Sequence, residues 1–190
     1  MMKWVLNRKP FKSGGIENSI NTSTLYPYIL FILIIILLVL FLPIKVLLAT
    51  DYKTNIYMKA WKVKEDTFSI IYTHSVQLTE VIETYDIHGE EIILKESYFK
   101  SYGAGLPATT PYSFEITDRG FRIYNINETM DNLIYRTGAE IANHRIIIGN
   151  EEYKFLDFSK PRSGIKFRIK RIPLGVYIVK ECIRWTTKNS

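Results

Sequence analysis

Cysteine is almost missing: Cys182 stands alone in 190 residues. That excludes an internal disulfide and leaves stability to a packed core. Histidine is scarce as well. His74, His88 and His144 lie far apart, none in an HxH or HxxxH pair, so no metal site is expected. There is no GxSxG elbow, no phosphate loop ending in GK[ST] and no GxGxxG fingerprint. The usual α/β-hydrolase, P-loop and dinucleotide readings therefore fall away, and no cofactor is expected. Beyond residue 50 no apolar stripe of helical period reaches the length of about twelve residues that would mark a long helix.

Charge is missing from one long stretch. No charged side chain occurs between Glu17 and Lys45, and Leu25–Leu42 is almost wholly apolar. As a helix at ~1.5 Å per residue this run reaches ~27 Å, close to a bilayer's hydrocarbon core. Thr24 is placed as its N-cap, Pro27 falls in the first turn, and Tyr26 and Tyr28 suit a membrane interface. Pro43 marks the end or a kink, with Lys45 able to snorkel to the headgroups if the helix runs on toward Leu48. The run exceeds the core of a cleaved signal peptide, and LPIKVLLATDY has no A-x-A cleavage pattern, so an uncleaved anchor is expected. Lys3, Arg8, Lys9 and Lys12 precede it against Glu17 alone. The positive-inside rule then keeps the N-terminus in the cytoplasm and sends the rest outward. The expected organisation is a cytoplasmic segment 1–24, a single-pass transmembrane anchor 25–48 and an extracytoplasmic domain 51–190.

The outer domain is split in charge. Asp51–Ser159 carries 11 basic and 17 acidic residues, whereas Lys160–Ser190 carries nine basic residues and one acidic. The basic end suits either lipid phosphates or the domain's own acidic part, and the second is the favoured reading. Nucleic acid is not an expected partner of a domain outside the cell.

The hydrophobic period of this domain is 2. Ile56–Val63, Thr67–Tyr72 and Ile165–Lys170 alternate, the last with bases outward. Val81–Ile87 and Ile92–Phe99 read as a hairpin around His88-Gly89. Further strands are expected at Ser113–Thr117, Gly120–Ile126, Asn132–Arg136, His144–Ile148 and Glu152–Phe158. Val176–Trp185 is expected as a closing strand with Cys182 in the core, and Asn125–Leu133 has room for a helical turn. The fold class is all-β: an antiparallel β-sandwich or barrel-like domain behind one N-terminal transmembrane helix.

Two segments depart from generic strand sequence. Strand alternation puts Val81, Glu83 and Tyr85 on one face. A glutamate there is a candidate for partial burial and needs a partner, for which His74 is the obvious choice. The ordinary reading, a solvated edge, stands beside it. The second segment, Ser101-Tyr102-Gly103-Ala104-Gly105-Leu106-Pro107, permits close backbone approach or positive φ. It either lines a ligand pocket with backbone N–H groups or carries the chain between sheets.

His74-Ser75-Val76, Glu83-x-Tyr85 and Ser101 through Pro107 together resemble a bacterial family of domains of unknown function. The likeness covers roughly residues 68–125. Its members are small, often carry an N-terminal hydrophobic segment, and are encoded beside TAXI-type TRAP transporters. The resemblance implies an association with solute uptake, with a TRAP permease or its solute-binding protein as partner. The ligand- or partner-binding residues expected from these segments are His74, Ser75, Glu83, Tyr85, Tyr102, Gly103, Ala104, Gly105, Leu106 and Pro107. No catalytic residue is assigned, because His74 and Ser75 point to opposite faces of a strand and no nucleophile is evident. The alternative is a small cell-envelope hydrolase using a His74/Glu83 acid–base pair.

Overall fold

The computed structural model describes residues 22–100, 110–138 and 140–188. The chain divides into two units, Met1–Leu38 and Val39–Ser190. The first holds most of helix α1 (Thr22–Phe41), which starts earlier than expected and so takes Pro27 inside, at the loss of one backbone hydrogen bond. The described side chains, Leu25–Phe41, are apolar apart from two phenol hydroxyls, and all but Leu40 are exposed. Among the described residues no helix is long and apolar enough to cross a membrane.

Helical geometry ends at Phe41, since Pro43 disfavours the helical conformation at Leu42. The Leu42 N–H reaches back to the Val39 carbonyl at 3.2 Å, and Pro43 opens strand β1 (Pro43–Asp51). Residues 43–48 therefore do not continue the helix. They pair with a later strand, a correction to the expected boundary at 48.

The second unit is an antiparallel sandwich. Its strands are β1, β2 (Tyr57–Lys62), β3 (Thr67–Thr73), β4 (Glu80–His88), β5 (Glu91–Phe99), β6 (Ser113–Thr117), β7 (Gly120–Tyr124), β8 (Glu128–Thr129), β9 (Leu133–Arg136), β10 (Arg145–Ile148), β11 (Glu151–Lys154) and β12 (Gly164–Pro173). The short sheet runs β2-β1-β12-β9. The long one runs β11-β10-β3-β4-β5-β7-β6, with β8 also on β5. Leu47, Trp61, Leu133 and Phe167 of the short sheet meet Phe68, Ile70, Tyr85 and Ile146 of the long one in a single buried cluster. Each such side chain contributes ~1.5–3 kcal/mol of burial. β12 shows the sorting most clearly: Ile165, Phe167 and Ile169 are buried, while Lys166, Arg168 and Lys170 alternate with them. A bulge opposite Thr84/Tyr85 resets the β4–β5 register. Beyond it Val81, Phe99, Ile123 and Ile126 form a second cluster. The expected turn of helix at Asn125–Leu133 is absent; Asn125 and Asn127 take positive φ around the start of β8.

The closing strand is also corrected. Residues 174–188 form helix α2 (Leu174–Lys188), and Cys182 on it is exposed rather than in the core. The reason lies at the sheet edge. β2 is an edge strand, and its outward Ala60 N–H donates to Glu181 Oε1 at 3.2 Å, where the Tyr57 hydroxyl also donates at 2.5 Å. Tyr177, Glu181 and Arg184 recur at helical spacing. They satisfy the edge, which another strand would have left open.

Candidate functional site

Strand β4 places its side chains as the alternation requires. Val81, Tyr85 and Ile87 are buried on the inner face, and Glu83 shares that face between them. The partner expected for Glu83 is not the one it has. Across the β3–β4 ladder Glu83 faces Ile70, whereas Thr73 faces Glu80. His74 is thus four residues further along, roughly 13 Å at ~3.3 Å per residue. Glu83 is held instead by phenols from three strands. Tyr72 donates to its Oε1 at 3.5 Å and Tyr85 to its Oε2 at 3.1 Å. Tyr135, on β9 of the short sheet, makes a short hydrogen bond to the same Oε2 and lies 2.6 Å from the Tyr85 hydroxyl. The group is a polar clasp across the sandwich.

Electrostatics follow from this geometry. Burial first, then the neighbouring carboxyl, pushes Tyr72 and Tyr85 far above the ordinary phenol value, and Tyr135 likewise. All three stay neutral hydrogen-bond donors at physiological pH. His144 completes the cluster: its ring stacks on Tyr72 at 5.3 Å and on Phe155 at 5.4 Å. Burial lowers its pKa, and its Nδ1 accepts the Gly138 N–H at 3.4 Å, which puts the ring proton on Nε2. Sequence reading passed over Tyr72, Tyr135 and His144. The available signal was that a buried carboxyl demands donors and that thirteen tyrosines supply many.

His74 does a different job. Its Nδ1 accepts the N–H groups of Val76 and Gln77, both at 3.3 Å. Its backbone closes the same turn through Thr79 and Leu78. The turn raises two apolar side chains into solvent, Val76 (62% exposed) and Leu78 (66%), and holds Leu78 at φ +52°. A branched side chain at positive φ is a costly conformation, of the kind that gathers at ligand clamps and active sites. Ser75 is exposed at its start.

The β-ladder gathers several turns at this end of the long sheet. Val81 pairs with Phe99 and Phe99 with Phe121, so the 74–79 turn, Lys100 and the Asp118-Arg119 turn emerge side by side. Tyr102, Gly103, Ala104, Gly105, Leu106 and Pro107 lie outside the described residues. Lys100, just before them, lines a cavity of about 580 Å³ with Glu80, Glu96, Tyr98, Arg119 and Arg122. Glu80 is paired with Arg145 and Glu96 with Arg122. The buried Tyr98 hydroxyl has no partner among the described residues. Such an orphaned donor, among charges, suits a polar contact from outside. Among the described residues no group of three or more His, Cys, Asp or Glu side chains gathers to hold a metal ion.

No curated protein and no solved structure matches the chain. A family model described as a domain of unknown function, DUF1850, matches residues 68–155, from the second residue of β3 to Phe155. It thus takes in the Glu83 clasp, the 74–79 turn and the cavity, and a domain of unknown function of the DUF1850 type is present in this chain.

Proposed function

We propose that the chain is a membrane-anchored, extracytoplasmic accessory domain, without catalysis, that docks a TAXI-type TRAP permease or its solute-binding protein. The 74–79 end of the long sheet is its contact surface. The observation that carries the reading is the His74-capped turn, which presents Val76 and Leu78 beside the charged cavity. Apolar side chains raised on a turn over a rim of charges suit protein recognition. The anchor rests on α1. Its described side chains alone fall short of a span, but with Thr22–Thr24 and Leu42 the helix reaches ~30 Å, and its apolar surface is exposed along its length. Tethering raises the effective concentration of the domain for a membrane partner. The TRAP assignment rests on the resemblance carried by the 74–76, 83–85 and 101–107 segments.

The hydrolase alternative asks more of the geometry. His74 is occupied with its turn, and Glu83 is enclosed by phenols.

A photo-crosslinking residue in place of Leu78, in the full-length chain and in native membranes, tests the proposal. Crosslinks to a TRAP component that vanish when the residue is moved to Asn150, on the β10–β11 turn, are expected. Crosslinks to other proteins, or none, overturn it. A His74→Ala variant that abolishes a hydrolytic turnover would instead establish the alternative.

A further inference from the structure

Helix α2 is amphipathic in an inverted sense: the face it turns to its own domain is the polar one. Tyr177 lies under the Lys62 ammonium at 5.3 Å, Glu181 accepts from Tyr57 and Ala60, and Arg184 bonds back to Glu181. At 100° per residue, Val176, Val179 and Ile183 lie opposite that line, with Ile178 and Trp185 on the flank. All five are exposed, Val179 at 57%, Ile183 at 58% and Trp185 at 65%.

We infer that this arc is a second membrane contact, lying in the headgroup layer beside the anchor. Two observations choose a lipid surface as its occupant. The first is position. The Leu174 N–H donates to the Leu42 carbonyl at 2.9 Å, and a Cβ on Gly175 would stand 3.3 Å from the Leu40 carbonyl oxygen. The first turn of α2 is therefore packed on the residues that join α1 to β1. The second is charge. Lys160–Ser190 carries nine bases and one acid. Among the described residues only Lys170 and Arg184 of that segment pair with a carboxylate, Glu90 and Glu181 respectively. The remaining bases, Lys180 on α2 and Arg171 just before it among them, match anionic headgroups below an apolar face. A second copy of the chain fits less well. It would bring like charges together, and one face of a fifteen-residue helix supplies far less than the ~800 Å² per partner of a stable interface.

The inference rests on the anchored reading of α1, and the test separates the two. The full chain, carrying Cys182→Ser, receives single nitroxide labels at Val176, Val179, Ile183, Lys180 or Asn150. It is then reconstituted in vesicles of phosphatidylethanolamine and phosphatidylglycerol. Labels at 176, 179 and 183 are expected to favour oxygen over an aqueous nickel chelate several-fold more than those at 180 and 150. They should lie ~5–10 Å below the headgroups. Nickel access on the outer arc equal to that at Asn150, or strong spin–spin broadening between copies, overturns the inference. Alkaline carbonate reads the anchor alone: release of the chain sinks α1 as a span, whereas retention with a water-exposed arc sinks only the role of α2.

Discussion

Tyr135→Phe removes one oxygen from the clasp and leaves the ring in place among Phe155, Phe167 and His144. No cavity is made, so the change reports the hydrogen bond. A buried hydrogen bond nets ~0.5–1.5 kcal/mol, or ~1.5–3 kcal/mol where one partner is charged. Some of that is recovered, because Tyr85 remains 3.1 Å from Glu83 Oε2 and can commit its proton there. The expected loss is ~1–2 kcal/mol, a fall in Tm of about 2–4 °C for each kcal/mol in a domain of this size. Urea titration of the full chain in mild detergent, followed by the fluorescence of buried Trp61, reads it as a lower midpoint at unchanged slope. Tyr85→Phe should cost a similar amount. The double variant should cost more than the sum of the two, since neither phenol is left to stand in for the other. Tyr153→Phe, on the exposed Glu151 pair, is the control and should stay within ~0.5 kcal/mol. A Tyr135→Phe midpoint indistinguishable from that control would refute the clasp as a stabilising element.

Three further outcomes are expected. Burial depresses His144, so the unfolded chain takes up a proton that the folded chain refuses as the pH falls below about 6.5. Stability should decline there, and denaturant midpoints across that window should flatten in His144→Gln. In the other direction, Tyr57, Tyr72, Tyr85 and Tyr135 are raised chiefly by burial. The unfolded phenols ionise first above about pH 10, stability falls as the pH rises, and absorbance at tyrosinate wavelengths should show a late group that titrates only with unfolding. Gly120 has φ +144°, and a Cβ there would meet the Phe99 carbonyl oxygen at 2.5 Å. Gly120→Ala should therefore cost ~1–3 kcal/mol, and an unchanged melting temperature would show that the β6–β7 turn relaxes freely.

Alternation made much of the sandwich legible. It put Val81, Glu83 and Tyr85 on one face, turned the bases of β12 outward, and placed the β4–β5 hairpin at His88-Gly89. What it could not supply was the partner across the sandwich. Glu83 meets Tyr135 because β9 is the far strand of a sheet whose order, β2-β1-β12-β9, mixes the two ends of the chain. His74 looked adjacent because it is close in sequence, yet register carried it past the end of the ladder to cap a turn. β1 was hidden for a different reason. Its Ile44, Val46 and Leu47 continue an apolar run, and only the pairing of Pro43 with Pro173 and Asp51 with Ile165 separates them from the helix.

The α2 misreading shows why periodicity alone has a limit. The spacing of its apolar residues tells which side chains share a face, and the usual inference is that the apolar face turns inward. Here the inner neighbour is a strand edge with an N–H to satisfy at Ala60 and a phenol at Tyr57. A carboxyl group meets both needs and valine meets neither. Burial opposes the charge on Glu181. The hydrogen bonds from Tyr57, Ala60 and Arg184, and the Lys59 ammonium, nevertheless leave its pKa below the ordinary carboxyl value. A group so held stabilises the fold above its unfolded pKa and loses that contribution as the pH falls through the folded one. Acid should thus loosen α2 at a lower pH than it affects His144, and Glu181→Gln should remove that step while leaving the His144 window in place. A single acid transition that both substitutions abolish would mean that the edge of β2 and the clasp melt as one unit, and α2 would then be part of the core's cooperativity rather than a cover laid over it.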